Sequence, residues 1–218
     1  LYQYTLFIYI YIQYMMLKRN LSLFIAFIVL VGSMYSIAAR STIHKDRVVK
    51  VTPDNIVMFR GHVTASSVDR VIQNLLNIKT KQVYLYLDTH GGSVLDGNSL
   101  IDVIETMQLN GKNVVCIADT AISMGFVIFQ HCPTRYILPR AVLMQHQMSL
   151  GIKGPLENLK TRLQFATDLD DQLSLEQARR LNMTLNDFKA NTNHDWWLFG
   201  DQILKNNKVD FQLNKRLV

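Results

Sequence analysis

A lone serine sits in the largely apolar run "IADTAISMGFVIF", where Ser123 stands between Ile122 and Met124, with Gly125 next. Such a serine either caps a helix or serves as a nucleophile at a strand-to-helix turn. The second reading requires a base, an orienting acid and donors for a developing oxyanion elsewhere in the chain. Candidates for each exist. In "THGGSV" the pair Gly91 and Gly92 makes a tight turn at a strand end, and Gly92 is also free to aim its backbone N–H at a reacting oxygen. The N–H of Met124 would lie in the first turn of the helix that Ser123 opens, where donors are unpaired and the dipole favours negative charge. Together these two N–H groups would form an oxyanion hole. His146 ends the strand-like "LPRAVLMQHQ" and reads as a structural imidazole or as a general base. Asp195, in "NHDWWLFG", directly precedes the chain's two tryptophans and reads as a helix cap or as the acid that orients the base.

The elements that would position these residues alternate as in an α/β protein. "RVVKV" and "NIVMFRG" read as strands, followed by a helix with Val68, Val71, Ile72, Leu75 and Leu76 at helical spacing behind the cap candidates Ser66 and Ser67. "QVYLYLD" is a strand, Leu100 to Met107 a helix, and "NVVCIA" a near-continuous apolar strand of the kind found in a sheet covered on both faces. "RYIL" and "AVLMQH" read as two short strands. Pro155 opens a long helix lasting to about Leu181, and Thr184 with Asp187 caps another.

The 218 residues suffice for one good-sized domain and an appendage. The net charge is +6, yet the basic residues are scattered, so a nucleic-acid partner is not expected. Cys116 and Cys132 lie in apolar segments without metal-ligand spacing, which predicts buried free thiols and no metal. The N-terminus differs from the rest. Lys18 and Arg19 precede an uncharged stretch from Asn20 to Ala39 that ends in small residues. It reads equally as a cleavable signal or as a retained anchor, since a helix needs roughly 20 apolar residues to span a bilayer. On either reading the protein is expected to be membrane-associated or exported, with Met15 or Met16 as its start. The expected organisation is residues 1–39 as signal or anchor, 40–54 as linker and first strand, and 55–218 as the catalytic domain.

From about Asn55 to Asp210 the chain resembles the proteolytic subunit of the caseinolytic (Clp) protease, a Ser/His/Asp peptidase family of the crotonase-like superfamily. The resemblance rests on "VYLYLDTHGGSV", "AISMG", "LPRAVLMQHQ" and the closing "NKVD". It implies a crotonase-like repeated β-β-α spiral, with Ser123 as nucleophile, His146 as base, Asp195 as orienting acid, and the Gly92 and Met124 N–H groups as oxyanion donors. It further implies polypeptide substrates, a homo-oligomeric ring and no cofactor in this chain. The absence of a GxxxxGK motif makes any ATP-driven unfoldase a separate protein. His90 stands where the family usually has proline. His194 and Trp196 stand where it usually has arginines that help two rings face one another, so single rings or smaller oligomers are expected.

Three rival readings remain. One is a membrane-anchored peptidase of signal-peptide-peptidase type, with a Ser/Lys pair drawn from Lys153 or Lys160. A second is a catalytically idle scaffold subunit of a Clp-like assembly. The third, more distant, is a crotonase-type acyl-thioester enzyme.

Overall fold

The apolar segments read as strands assemble into one mixed sheet in the computed structural model, which describes residues 49–199, 201–204 and 209–213. β1 (Ile56–Arg60), β2 (Gln82–Thr89), β3 (Asn113–Ile122) and β4 (Thr134–Gln145) lie side by side in that order, each parallel to its neighbour. β5 (Trp196–Phe199) runs antiparallel to β4, and β6 (Phe211–Gln212) pairs with the beginning of β4. Parallel neighbours need crossover connections. These are α1 (Ala65–Asn77), α2 (Val94–Leu109) and α3 (Met124–His131); α4 (Leu156–Arg180) and α5 (Leu185–Thr192) lie between β4 and β5, and the short α6 (Asp201–Leu204) follows β5.

Because side chains alternate along a strand, the sheet carries two cores. Leu85, Leu87, Cys116 and Ala118 pack on one face with Val68, Leu75, Leu100, Ile104, Phe126 and Phe129 from α1 to α3. Tyr86, Val115, Ile117, Tyr136, Leu138 and Leu213 form a smaller cluster on the other. Val68, Val71 and Leu75 are buried in α1 as their spacing predicts, whereas Leu76 is 60% exposed, and Thr64 rather than Ser66 or Ser67 caps the helix. Thr64 and Ser67 bond reciprocally, the Ser67 N–H donating to Thr64 Oγ1 at 3.3 Å and the Thr64 N–H to Ser67 Oγ at 3.0 Å.

Several expectations need correction. Residues 49–51 of "RVVKV" form no strand. The segments "RYIL" and "AVLMQH" belong to the single strand β4, whose pairing with β3 jumps between Ala118↔Ile137 and Thr120↔Val142. That irregularity leaves Pro139 and Arg140 exposed and removes the proline, which cannot donate, from the ladder. The cysteines are not free thiols: Cys116 in β3 and Cys132 at the C-cap of α3 form a disulfide across Cα atoms 5.9 Å apart. They lie 16 positions apart in sequence, and it is the return of α3 over the sheet that brings them together.

The C-terminal segment is tied down by charge. Arg135 is fully buried, and a buried guanidinium must be paired. It donates to Asp210 through Nη2 at 2.9 Å and Nε at 3.2 Å, and to Gln130 Oε1 through Nη1. Burial and the neighbouring Arg135 lower the pKa of Arg180, against the opposing pull of Asp210. Residues 1–48, including the apolar stretch 21–39, lie outside the described residues.

Candidate active site

β3 ends at Ile122 and α3 begins at Met124, which leaves Ser123 alone at the turn with φ 55° and ψ −124°. A positive φ in a residue with a Cβ costs on the order of 1–3 kcal/mol and persists only where the surroundings enforce it. They do so here on both sides. The Ser123 N–H donates to Met144 O at 2.8 Å, and the Ser123 carbonyl accepts from Phe126 N at 2.8 Å and Val127 N at 3.2 Å. Although Ser123 occupies the N-cap position, its side chain makes no capping hydrogen bond, so the hydroxyl is not committed to the helix. It lines a cavity of about 300 Å³ together with His146, Met124, Val94, Val127 and Gln145.

The glycine turn after β2 presses directly on this serine turn. A Cβ on Gly91, whose φ is +84°, would lie 2.6 Å from Ile122 O, 2.7 Å from Ser123 Cβ and 2.8 Å from Met124 N. Only glycine permits that approach. Gly92 bridges to Val63 in parallel fashion: the Val63 N–H donates to Gly91 O at 2.9 Å and the Ser93 N–H to Val63 O at 2.9 Å. In such a bridge the Gly92 N–H points away from Val63. No hydrogen bond among the described residues uses it or the Met124 N–H, which opens α3. Gly91 was not among the site residues read from the sequence; its adjacency to Gly92 is the only signal that could have found it.

His146 follows the last residue of β4 and Asp195 precedes the first of β5. The antiparallel register pairs Met144 with Trp197 and Gln145 with Trp196. The next position along each strand is His146 on one and Asp195 on the other. Ser123, His146 and Asp195 therefore end or begin three adjacent strands at one edge of the sheet. Asp195 is exposed and does not line the cavity that holds Ser123 and His146. No hydrogen bond joins the three side chains, as is common before substrate tightens such a site.

The segment after His146 is held from two sides. The Gln147 N–H donates to Thr192 O at 3.1 Å, Gln147 Nε2 to Asn193 O at 3.2 Å, and the Met148 N–H to Asp170 Oδ1 at 3.1 Å. Asp170 and Asp171, both on the cavity lining, were not singled out in the sequence because "DLDDQ" reads as a solvated helix face. Lys153 and Lys160 are exposed, and Lys160 pairs with Glu157 at 2.9 Å. Neither has the dry setting that a lysine base requires. Among the described residues no group of side chains could hold a metal ion.

The family model for Clp protease matches residues 39–207. Among curated proteins, the chain is 28% identical over 169 residues to the ATP-dependent Clp protease proteolytic subunit of Streptococcus gordonii, covering 74% of this chain and 85% of the relative. The subunit of the same name from Streptococcus suis is 28% identical over 177 residues, covering 73% of this chain and 89% of the relative. These findings overturn the expected membrane-associated or exported location. The relatives are named as subunits of ATP-dependent proteases. No helix among the described residues is long and apolar enough to cross a membrane. The error arose from residues 21–39, whose composition alone carried the expectation. With the profile spanning most of the sequence and the serine turn, glycine turn and histidine strand meeting at one sheet edge, the chain belongs to the Clp protease family.

Proposed function

We propose that this protein is a serine endopeptidase that hydrolyses unfolded proteins or peptides through an acyl-enzyme. Ser123 Oγ attacks the scissile carbonyl while His146 takes its proton, and the Gly92 and Met124 N–H groups receive the oxyanion. His146 then passes the proton to the leaving amine, whose departure leaves an ester on Ser123. Water, deprotonated by the same imidazole, hydrolyses that ester. Asp195 holds the imidazole tautomer and balances its positive charge in the transition state. The reaction needs no cofactor.

The observation that carries this reading is the backbone of Ser123, held at φ 55° with an uncapped hydroxyl on the wall of the His146 cavity. A helix-capping serine would have extended backbone and a bonded hydroxyl, and an idle scaffold has no need of the strain. The family's repeated β-β-α spiral and homo-oligomeric ring belong to the same proposal. So does a separate ATP-driven partner, in keeping with the ATP-dependent relatives. The test is to treat the purified protein with a fluorophosphonate and map the adduct. Modification at Ser123, abolished in Ser123→Ala, is the expected result; an unmodified Ser123 in a folded protein would sink the mechanism.

A further inference from the structure

The two backbone donors assigned to the oxyanion belong to different turns, and one buried threonine touches both. Thr89 ends β2 opposite Ala121 of β3 and is fully buried. A hydroxyl buried there needs a partner. Its Oγ1 accepts the Gly91 N–H at 3.1 Å, the bond a threonine makes to the backbone two residues on. The Gly91 carbonyl in turn accepts the Val63 N–H at 2.9 Å. Gly91, free by itself to adopt many conformations, is thus held at both its N–H and its C=O. A trans peptide is planar with its N–H opposite its C=O, so the Gly91 carbonyl aimed at Val63 turns the Gly92 N–H the other way. The Thr89 hydroxyl and the Val63 N–H together set the direction of the first donor.

The same side chain bears on the second turn through its methyl. Gly125 directly follows Met124 in the first turn of α3 and is buried. A Cβ on Gly125 would lie 2.5 Å from Thr89 Cγ2 and 3.2 Å from Thr89 O. Glycine weakens a helix relative to alanine, and this close approach accounts for its presence. The Thr89 methyl therefore limits how near the start of α3, with the Met124 N–H, stands to the end of β2.

Resting on the peptidase reading above, we infer that Thr89 is a positioning residue for the oxyanion hole. Fully buried, it lies out of reach of substrate. Its hydroxyl orients the Gly91–Gly92 turn, its methyl and carbonyl seat Gly125, and the spacing of the Gly92 and Met124 N–H groups follows from both contacts. A misplaced donor weakens the bond to the developing oxyanion more than any bond to the bound substrate, so its cost falls on kcat.

The test measures kcat and KM on a fluorogenic peptide with the full chain, alongside denaturant melts of each variant and fluorophosphonate labelling of Ser123 in the wild type. Thr89→Val keeps the shape and removes the acceptor, and should lower kcat about tenfold or more with KM within about threefold of wild type. Thr89→Ser keeps the acceptor and should recover most of that loss. Gly125→Ala presses on the contact from the other turn. Its kcat should also fall about tenfold or more, and adding Thr89→Ser, which removes the opposing methyl, should restore part of it. That pair keeps the test decisive should the buried Thr89→Val fail to fold. With Ser123 labelled, a folded Thr89→Val of wild-type kcat, or a loss confined to KM, would overturn the role of Thr89 and leave the peptidase intact. So would a Thr89→Ser as impaired as Thr89→Val, or a Gly125→Ala whose loss Thr89→Ser does not relieve. Absence of both labelling and cleavage in the folded wild type would overturn the peptidase and this inference together.

Discussion

Gln145 faces Trp196 in the last rung of the β4–β5 ladder, so that His146 and Asp195 are the next residues along the two strands. The register therefore brings the imidazole and the carboxylate to the ends of two paired strands. This is the geometric support for Asp195, the candidate site residue with the weakest local sequence signal. Asp195→Asn should lower kcat by orders of magnitude while changing KM little, because the amide no longer selects the tautomer or balances the imidazolium. Steady-state kinetics on a folded variant provide the check, and a drop of less than about tenfold would remove Asp195 from the mechanism.

Gly91 is predicted to be as intolerant as the serine it touches. In Gly91→Ala the new Cβ meets the backbone at Ile122 O and Met124 N, neither of which can swing aside as a side chain end could. The φ of +84° adds strain of its own. Together these should destabilise the fold by about 1–3 kcal/mol. A displaced Met124 N–H should also cost on the order of a hundredfold in kcat, as the loss of one oxyanion donor does elsewhere. Denaturant melts and peptidase assays on the same preparation measure the two effects separately. A variant with wild-type stability would show that the two turns do not press on one another.

Much of this site was legible because its signals are local. Ser123 in an apolar run, paired glycines after a strand and a histidine at a strand end all lie within a few residues of the elements that place them. The β2 strand, the buried face of α1 and the bounds of α4 follow equally from short-range pattern. What escaped depends on distant pairings. The Cys116–Cys132 disulfide requires knowing that α3 folds back over β3. The hydrogen bond from Gln145 to Gln177 requires α4 to lie beside the end of β4. The continuity of β4 through Pro139 was hidden by a residue that ordinarily ends a strand and is tolerated here at a pairing irregularity. The expected location rested on the composition of residues 21–39 alone, which lie outside the described residues.

Alkaline pH should probe the second core. Tyr86 Oη donates to Asp119 Oδ2 at 2.7 Å, and burial followed by that bond pushes its pKa up from 10.0 to about 12. The folded state then holds the phenolic proton more tightly than the unfolded state. Its stabilising contribution is complete below pH 10 and is lost as pH rises toward 12. Tyr86→Phe should be less stable near neutrality, having lost the bond, yet show a shallower decline across that window. Chemical denaturation at a series of pH values gives both slopes, and parallel curves for the two proteins would exclude the linkage.

The identity of the base separates the Clp-like reading from a Ser/Lys peptidase on the same fold. A lysine base must be neutral near pH 7, which requires burial or a cationic neighbour to bring its pKa down by several units from about 10.4. Lys153 is exposed in "GIKG", and Lys160 is exposed and bonded to Glu157. Neither lines the Ser123 cavity, whereas His146 does. An imidazole needs no such perturbation, because its unshifted pKa of about 6.5 already allows proton exchange at working pH. His146→Ala should therefore abolish hydrolysis, while Lys153→Ala and Lys160→Ala remain within about tenfold of wild type, as changes outside the reacting groups do. The pH profile of kcat/KM adds an independent readout, since a histidine base gives a rise with an inflection near neutrality. A dead lysine variant beside an active His146→Ala would replace the histidine mechanism with the lysine one.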